Sequence, residues 1–144
     1  MAKKILWVED ERYQVDAYMR SLKRRGYEID FFETPWEVLE YVEEERNRDF
    51  SLIIIDLMLP VGEFSKEETQ NGLATGVILL LALRRWMANL PCIYFTNIPM
   101  STIAGENVYR LATHVDKTVW LQKGISSDEL IGVVRKLIGE GGES

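Results

Sequence analysis

The chain predicts an α/β fold, a five-stranded parallel sheet with helices on both faces, and three observations carry that expectation. Short apolar runs alternate with stretches of helical periodicity along the 144 residues. The strongest run, Leu52-Ile53-Ile54-Ile55, is unbroken and rich in β-branched residues, as in a strand buried on both faces. Polar residues able to do chemistry stand at the ends of separate runs: Glu9-Asp10-Glu11, Asp56, Thr96 and Lys123. Strands that alternate with helices pair in parallel through right-handed crossovers, which brings these strand ends to one edge of the sheet.

Lys4 to Val8 reads as the first strand. In the helix after it, Val15, Tyr18, Met19 and Leu22 recur at i, i+3, i+4 and i+7 as one apolar stripe. Lys23, Arg24 and Arg25 suit its C-terminal dipole, and Gly26 a left-handed stop. Tyr27 to Phe32 is a short second strand. Thr34-Pro35-Trp36-Glu37 starts a second helix: Thr34 caps, Pro35 fits the first helical position and Glu37 completes a capping box. That helix carries Val38, Leu39, Tyr41 and Val42 and dissolves in the charged run Glu43 to Arg48.

After the third strand, Val61 to Asn71 lacks an apolar period and reads as a loop. Gly72 to Asn89 reads as the third helix, its length and Arg84-Arg85 outweighing the strand-like composition of Val77 to Leu83. Pro91 to Phe95 is the fourth strand, ending at Thr96. Thr102 to Thr113 is a weaker helix that Gly105 interrupts, and Thr118 to Leu121 is the fifth strand, ending near Lys123. Ser126 and Glu129 form a capping box for the last helix, in which Leu130, Val133, Val134 and Leu137 repeat at helical spacing; Gly139, Gly141 and Gly142 end it.

With 47% hydrophobic residues the chain fills one core, so residues 1–144 read as a single domain, with an insertion-like loop at 61–71 and a flexible tail at 139–144. A formal net charge of -6 without a dense Lys/Arg tract argues against a nucleic-acid surface. Arg24-Arg25 and Arg84-Arg85 read as solvated helix ends. The single cysteine, Cys92, excludes an internal disulfide, suits a reducing compartment and reads as an inert buried thiol. Ile5 to Val8 is too short for a signal peptide's apolar region and Val77 to Leu83 too short to span a bilayer, so a cytoplasmic protein without membrane contact is expected.

Asp56 is the pivot. A carboxylate after four apolar residues is costly to bury unpaired, so the strand is expected to end there and the acid to emerge in a polar site outside the sheet's carboxyl edge, where ligands of open parallel sheets collect. An Asp that only caps the loop is the other reading of this strand taken alone. Glu9, Asp10 and Asp56 together crowd three negative charges against Lys123, and like charges ~4 Å apart repel by about 4 kcal/mol at an effective dielectric of 20. A divalent cation relieves that repulsion. Mg²⁺ takes one or two carboxylates plus waters and phosphate oxygens, which makes Asp10 and Asp56 the direct ligands, with Glu9 acting through water.

The segments Ile5-Leu6-Trp7-Val8-Glu9-Asp10-Glu11, Ile53-Ile54-Ile55-Asp56-Leu57-Met58-Leu59-Pro60, Phe95-Thr96 and Trp120-Leu121-Gln122-Lys123 also resemble the receiver domain of two-component response regulators. The resemblance covers nearly the whole chain. It implies a flavodoxin-like, doubly wound sheet in the order 2-1-3-4-5 with five helices, and a protein that is a phosphoacceptor rather than an enzyme in the ordinary sense. Asp56 would accept a phosphoryl group from a sensor histidine kinase or a histidine phosphotransfer protein, in a Mg²⁺-dependent reaction. The resemblance adds the backbone carbonyl of Met58 to the metal ligands. Thr96 would hydrogen-bond the phosphoryl group, Lys123 would pair with it, and Trp120 would move as an aromatic switch, its other reading being a core or edge aromatic. Output would pass by contact with a downstream protein target, by self-association or through a further domain, with the region from Thr102 to Trp120 as the output face. Trp86 reads as a core-packing side chain or, if exposed, as support for a homodimer. No effector domain is expected after Gly139.

Several features depart from the receiver pattern. The glycine that follows the phosphoacceptor is displaced to Gly72, so 61–71 looks inserted beside the site, either as a tolerated surface insertion or as a partner contact with Phe64 as its large apolar anchor. Asn97 stands where small residues are common and would narrow the entrance. Gly124 follows Lys123 where proline is frequent, which loosens the expected aim of the lysine. Met58 and Ile98 would flank the phosphoryl group with apolar side chains, leaving little to position an attacking water.

Competing readings lack a feature each. A haloacid-dehalogenase-type phosphatase needs a second acid at the position of Met58. A flavodoxin-like cofactor binder needs a Gly/Ser/Thr phosphate cradle where Glu9-Asp10-Glu11 stands. A phosphorylation-independent receiver-fold adaptor remains as the alternative.

Overall fold

Five strands form one sheet: β1 (Lys4–Val8), β2 (Glu28–Phe32), β3 (Leu52–Ile55), β4 (Cys92–Thr96) and β5 (Thr118–Gln122). They lie in the order β2-β1-β3-β4-β5 and every neighbouring pair is parallel. The helices are α1 (Arg12–Arg24), α2 (Pro35–Glu43), α3 (Thr75–Leu83), α4 (Ile103–Thr113) and α5 (Ser127–Ile138). The structure is a computed structural model and describes residues 2–99 and 101–139. Among these no helix is long and apolar enough to cross a membrane.

The two-residue period of a strand divides the core. Ile5, Trp7, Leu52, Ile54, Ile93 and Phe95 face one side, where Val15, Met19 and Leu22 of α1 and Leu130, Ile131 and Val134 of α5 cover them. Leu6, Val8, Ile53, Ile55, Cys92 and Tyr94 face the other, under Val38 and Val42 of α2, Val77, Leu80 and Leu83 of α3, and Val108 and Ala112 of α4. All four β3 residues are fully buried, as an unbroken apolar run requires. Burial pushes the Cys92 thiol well up, so it stays protonated and inert.

Side-chain caps start α2, α4 and α5, whereas Glu11 and Ala74 before α1 and α3 make none. The box expected at Glu37 stays open because its carboxylate accepts from the Thr34 hydroxyl at 2.8 Å. Thr34 Oγ1 accepts the Glu37 N–H at 3.3 Å with Pro35 in the first turn, and Ser126 with Glu129 closes a full capping box on α5.

The third helix is shorter than the expected Gly72 to Asn89. Gln70, Asn71 and Gly72 have φ of 55°, 58° and 90°, a left-handed turn that delays the helix to Thr75. Beyond Leu83 the chain continues in turns. There Arg84, expected as a solvated end, donates to the carbonyls of Met87, Leu90 and Asp116. Trp86 falls beyond α3 and takes the core-packing place rather than that of a dimer support, lying against the core and under the Arg48 guanidinium at 5.3 Å.

The 61–71 loop contains no helix or strand but is internally tied. Buried Thr69 donates its hydroxyl to Ser65 O at 2.9 Å and accepts the Gly72 N–H at 3.2 Å. Phe64 packs against the core rather than standing free. Gly139 ends α5 at φ 88°; the rest of the expected tail, with Gly141 and Gly142, lies outside the described residues.

Candidate functional site

The β1–β3 pairing aligns Val8 with Ile55, and the ladder continues one step as the Asp56 N–H donates to Val8 O at 3.0 Å. Glu9 and Asp56 therefore leave adjacent strands side by side. Both are buried, at 1% and 4% exposure, whereas Asp10 is exposed. One carboxylate oxygen from each of the three lies within 4.8 Å of the other two.

Each buried acid has one oxygen held by backbone. Asp56 Oδ1 accepts the Leu57 N–H at 2.8 Å and Glu9 Oε2 accepts the Glu11 N–H at 3.0 Å. The remaining oxygens face Lys123. Its Nζ lies 2.5 Å from Glu9 Oε1, an ion pair off the hydrogen-bond direction, and 3.3 Å from Asp56 Oδ2. A third contact goes to Gln14 of α1, whose Oε1 accepts from Nζ at 2.8 Å. The same Gln14 oxygen accepts from Asn97 Nδ2 at 3.1 Å, so Asn97 is turned toward α1.

Charge and burial set the protonation of this pocket. Burial, and after it the charge of Asp56, push the Glu9 carboxyl up to about 8 against the lowering pull of Lys123 and the Glu11 amide. Asp56 is also raised, by burial, although Lys123 and the Leu57 amide oppose the shift. For Lys123 burial pulls downward, but Asp56 and Glu9 outweigh it and the ammonium is raised. The pocket therefore resists holding all its carboxylates charged at once. Hard oxygen donors carrying more negative charge than one lysine can neutralise suit a hard divalent cation. Glu9, Asp10 and Asp56 can supply its carboxylate ligands.

Thr96 is fully buried at the end of β4, and its Oγ1 accepts the Ile98 N–H at 3.0 Å. Backbone joins it to the pocket: the Lys123 N–H donates to Thr96 O at 2.8 Å. Met58 follows in the bend after β3, its side chain 41% exposed, while Ile98 is buried in the core. Trp120 lies on β5, paired with Tyr94 and edge-on to Tyr109 of α4 with centroids 5.3 Å apart. Its Nε1 is buried without a hydrogen-bond partner among the described residues. The structure thus gathers Glu9, Asp10, Asp56 and Lys123, attaches Thr96 through the backbone, and leaves Trp120 on the α4 side.

Two residues escaped sequence reasoning. Gln14 is a lone polar side chain on an amphipathic helix and carries no periodic signal. Gly76, not Gly72, is the glycine that meets the pivot strand. Its N–H donates to Leu57 O at 2.9 Å, and a Cβ there would sit 2.1 Å from Asp56 O. Its position immediately before the apolar run Val77 to Leu83 was the available signal.

No family model and no curated protein sequence matches the chain. Solved structures do. A CheY-like response regulator receiver domain protein from Methanospirillum hungatei JF-1 is similar at 20% identity and TM-score 0.72, over 98% of this chain and 97% of that one. A two-component response regulator from Clostridium difficile is similar at 17% identity and TM-score 0.74, over 98% and 99%. The signal receiver domain of an HD domain-containing protein from Pseudomonas fluorescens Pf-5 matches at 17% identity and TM-score 0.74, over 98% of each chain. At these identities the likeness is one of fold, and that fold, across nearly the whole chain, is the response-regulator receiver fold.

Proposed function

We propose that this protein is a response-regulator receiver that accepts a phosphoryl group on Asp56 from the phosphohistidine of a sensor histidine kinase or a histidine phosphotransfer protein. The observation that supports this reading most directly is the placing of Lys123 Nζ between Glu9 and Asp56, beside an exposed Asp10, at the carboxyl edge of the sheet. An Asp56 carboxylate oxygen attacks phosphorus, the P–N bond to the donor imidazole breaks, and the imidazole leaves with its electron pair and takes up a proton. Bound Mg²⁺ supplies charge neutralisation for the carboxylates and the incoming phosphoryl oxygens. Asp10, Asp56 and the Met58 carbonyl would hold it, with Glu9 through water.

The product is an acyl phosphate whose oxygens need new partners. Lys123 exchanges a carboxylate contact for a phosphoryl oxygen. Thr96 turns its hydroxyl from the Ile98 N–H toward another, moving the loops after β4 and β5. Trp120, held loosely at its unpaired Nε1, follows that movement and alters the α4–β5 face presented to a downstream protein.

Incubation with acetyl phosphate and Mg²⁺ tests the reading by intact mass. Wild type is expected to gain one phosphoryl group that hydroxylamine removes, and Asp56→Asn none. Wild type that stays unmodified, together with partner binding unaffected by Asp56→Asn, would leave the phosphorylation-independent adaptor instead.

A further inference from the structure

The lysine that completes the pocket is carried by a loop whose conformation needs explaining. Gly124, directly after it, has φ of +104°, a region that side-chain-bearing residues rarely adopt. Crowding is not the reason for the glycine, since an added Cβ would meet nothing within 4 Å. The described residues contain no cis peptide bond, so the Lys123–Gly124 link is trans.

What holds the loop comes from α1. Tyr18 Oη accepts the Gly124 N–H at 3.1 Å and donates to Ile125 O at 2.6 Å, bracketing the two residues after Lys123. Its ring stands edge-on to Phe95, centroids 5.0 Å apart at 83°, next to Thr96. A proline at 124 could offer no N–H to this hydroxyl, so Gly124 and Tyr18 form a matched pair. Four residues before Tyr18 on the same helix, Gln14 takes the third contact of the ammonium.

We infer that Tyr18 is a positioning residue for Lys123: its hydroxyl clamps the left-handed β5–α5 loop so that the ammonium enters the acidic pocket. As far as it concerns the phosphoryl group, this rests on the receiver reading above. The clamp itself does not.

Tyr18→Phe keeps the ring against Phe95 and removes only the hydroxyl. The first readout uses no phosphoryl mimic: the ¹H–¹⁵N signal of the Lys123 ammonium and hydrogen exchange at the Gly124 amide. In Tyr18→Phe the ammonium signal is expected to broaden away and Gly124 to exchange faster; both unchanged would overturn the inference. Gly124→Ala strains the same loop from the other partner and is expected to give the same loss. It decides the matter if Tyr18→Phe folds poorly, an unchanged ammonium signal there counting against the clamp.

The second readout is binding of beryllofluoride with Mg²⁺. Tyr18→Phe is expected to weaken it about tenfold in the wild-type background and not at all in Lys123→Ala. Equal weakening in both backgrounds would show that Tyr18 does not act through the lysine. If wild type binds no beryllofluoride, the receiver reading fails and the ammonium signal still decides the role of Tyr18.

Discussion

Lys123 Nζ sits closer to Glu9 Oε1, at 2.5 Å, than to Asp56 Oδ2, at 3.3 Å. The lysine of the resting pocket thus leans on the acid after β1 more than on the pivot acid of β3. Each buried acid keeps one backbone amide, but of the two the lysine hydrogen-bonds only Asp56, at Oδ2, its shorter approach to Glu9 Oε1 lying off the hydrogen-bond direction.

Glu9 links the pocket to pH. Its carboxyl is raised from 4.5 to about 8, so around neutral pH a cation competes there with a proton as well as with Lys123. Affinity for Mg²⁺ is expected to rise with pH toward about 8 and then level, by at most about tenfold per pH unit for one displaced proton. The stability of the metal-free fold runs the other way. A group raised on folding stabilises below its unfolded value, and here that contribution is lost as pH climbs from 4.5 through about 8. Urea unfolding of wild type against Glu9→Gln isolates the effect: the difference between them should vary across this window, and a constant difference would contradict it.

Gly76 and Gly132 give a paired test of close packing. A Cβ at 76 would lie 2.1 Å from the Asp56 carbonyl oxygen, backbone that can yield only by shifting α3 off the end of β3. At 132, inside α5, nothing lies within 4 Å. Gly76→Ala is expected to cost about 2 kcal/mol or more, as overpacking does, and to slow acetyl phosphate labelling by displacing Asp56. Gly132→Ala should gain about 0.5–1 kcal/mol through helix propensity alone. Thermal melts of the two variants opposite in sign would agree with this; a neutral Gly76→Ala would not.

Those glycines also show where sequence reasoning stops. The parallel sheet and the meeting of Glu9, Asp10, Asp56 and Lys123 were legible because alternating elements impose parallel pairing, which puts every strand end on one edge; the strand order was implied by the receiver resemblance alone. Gly72 was taken for the glycine behind the pivot because spacing in a loop carries no register; only packing shows that Gly76 touches it. Tyr18 was read as part of an apolar stripe, which is true of its ring and silent about its hydroxyl. Asn97 was expected to crowd the entrance, yet an amide with a partner within reach turns to it, and Gln14 is that partner. Long-range polar pairs of this kind leave no period in a sequence.

Trp120 carries a buried N–H with no acceptor among the described residues, a cost of about 1–3 kcal/mol. Trp120→Phe removes that cost and keeps an aromatic edge toward Tyr109, so resting stability should hold or rise. Trp120→Ala gives up the contact and should lose about 2–3 kcal/mol, at the low end of aromatic truncations because the side chain is only half-buried. Denaturant midpoints separate the two. Equal losses in both variants would mean that the indole N–H has an acceptor in solution and that Trp120 is not loosely held.

Met58 bears on the lifetime of the proposed acyl phosphate. Its thioether is 41% exposed in the bend two residues after Asp56, and it offers no strong hydrogen-bond donor or acceptor to an incoming water. Ile98, expected to flank the site with it, is buried in the core, so the apolar cover rests on Met58. Hydrolysis needs a water aligned with the P–O bond that breaks, and Met58 crowds that approach without orienting it. Phosphate loss is therefore expected to be slow in wild type and severalfold faster in Met58→Asn, whose amide can hold the water. Because Met58 would serve the cation through its backbone carbonyl, the substitution should leave Mg²⁺ affinity unchanged. Following label loss after acetyl phosphate is removed measures the rate directly. A rate unchanged in Met58→Asn would place the control of hydrolysis elsewhere in the pocket, where Gln14 contacts Lys123 and Asn97 contacts Gln14.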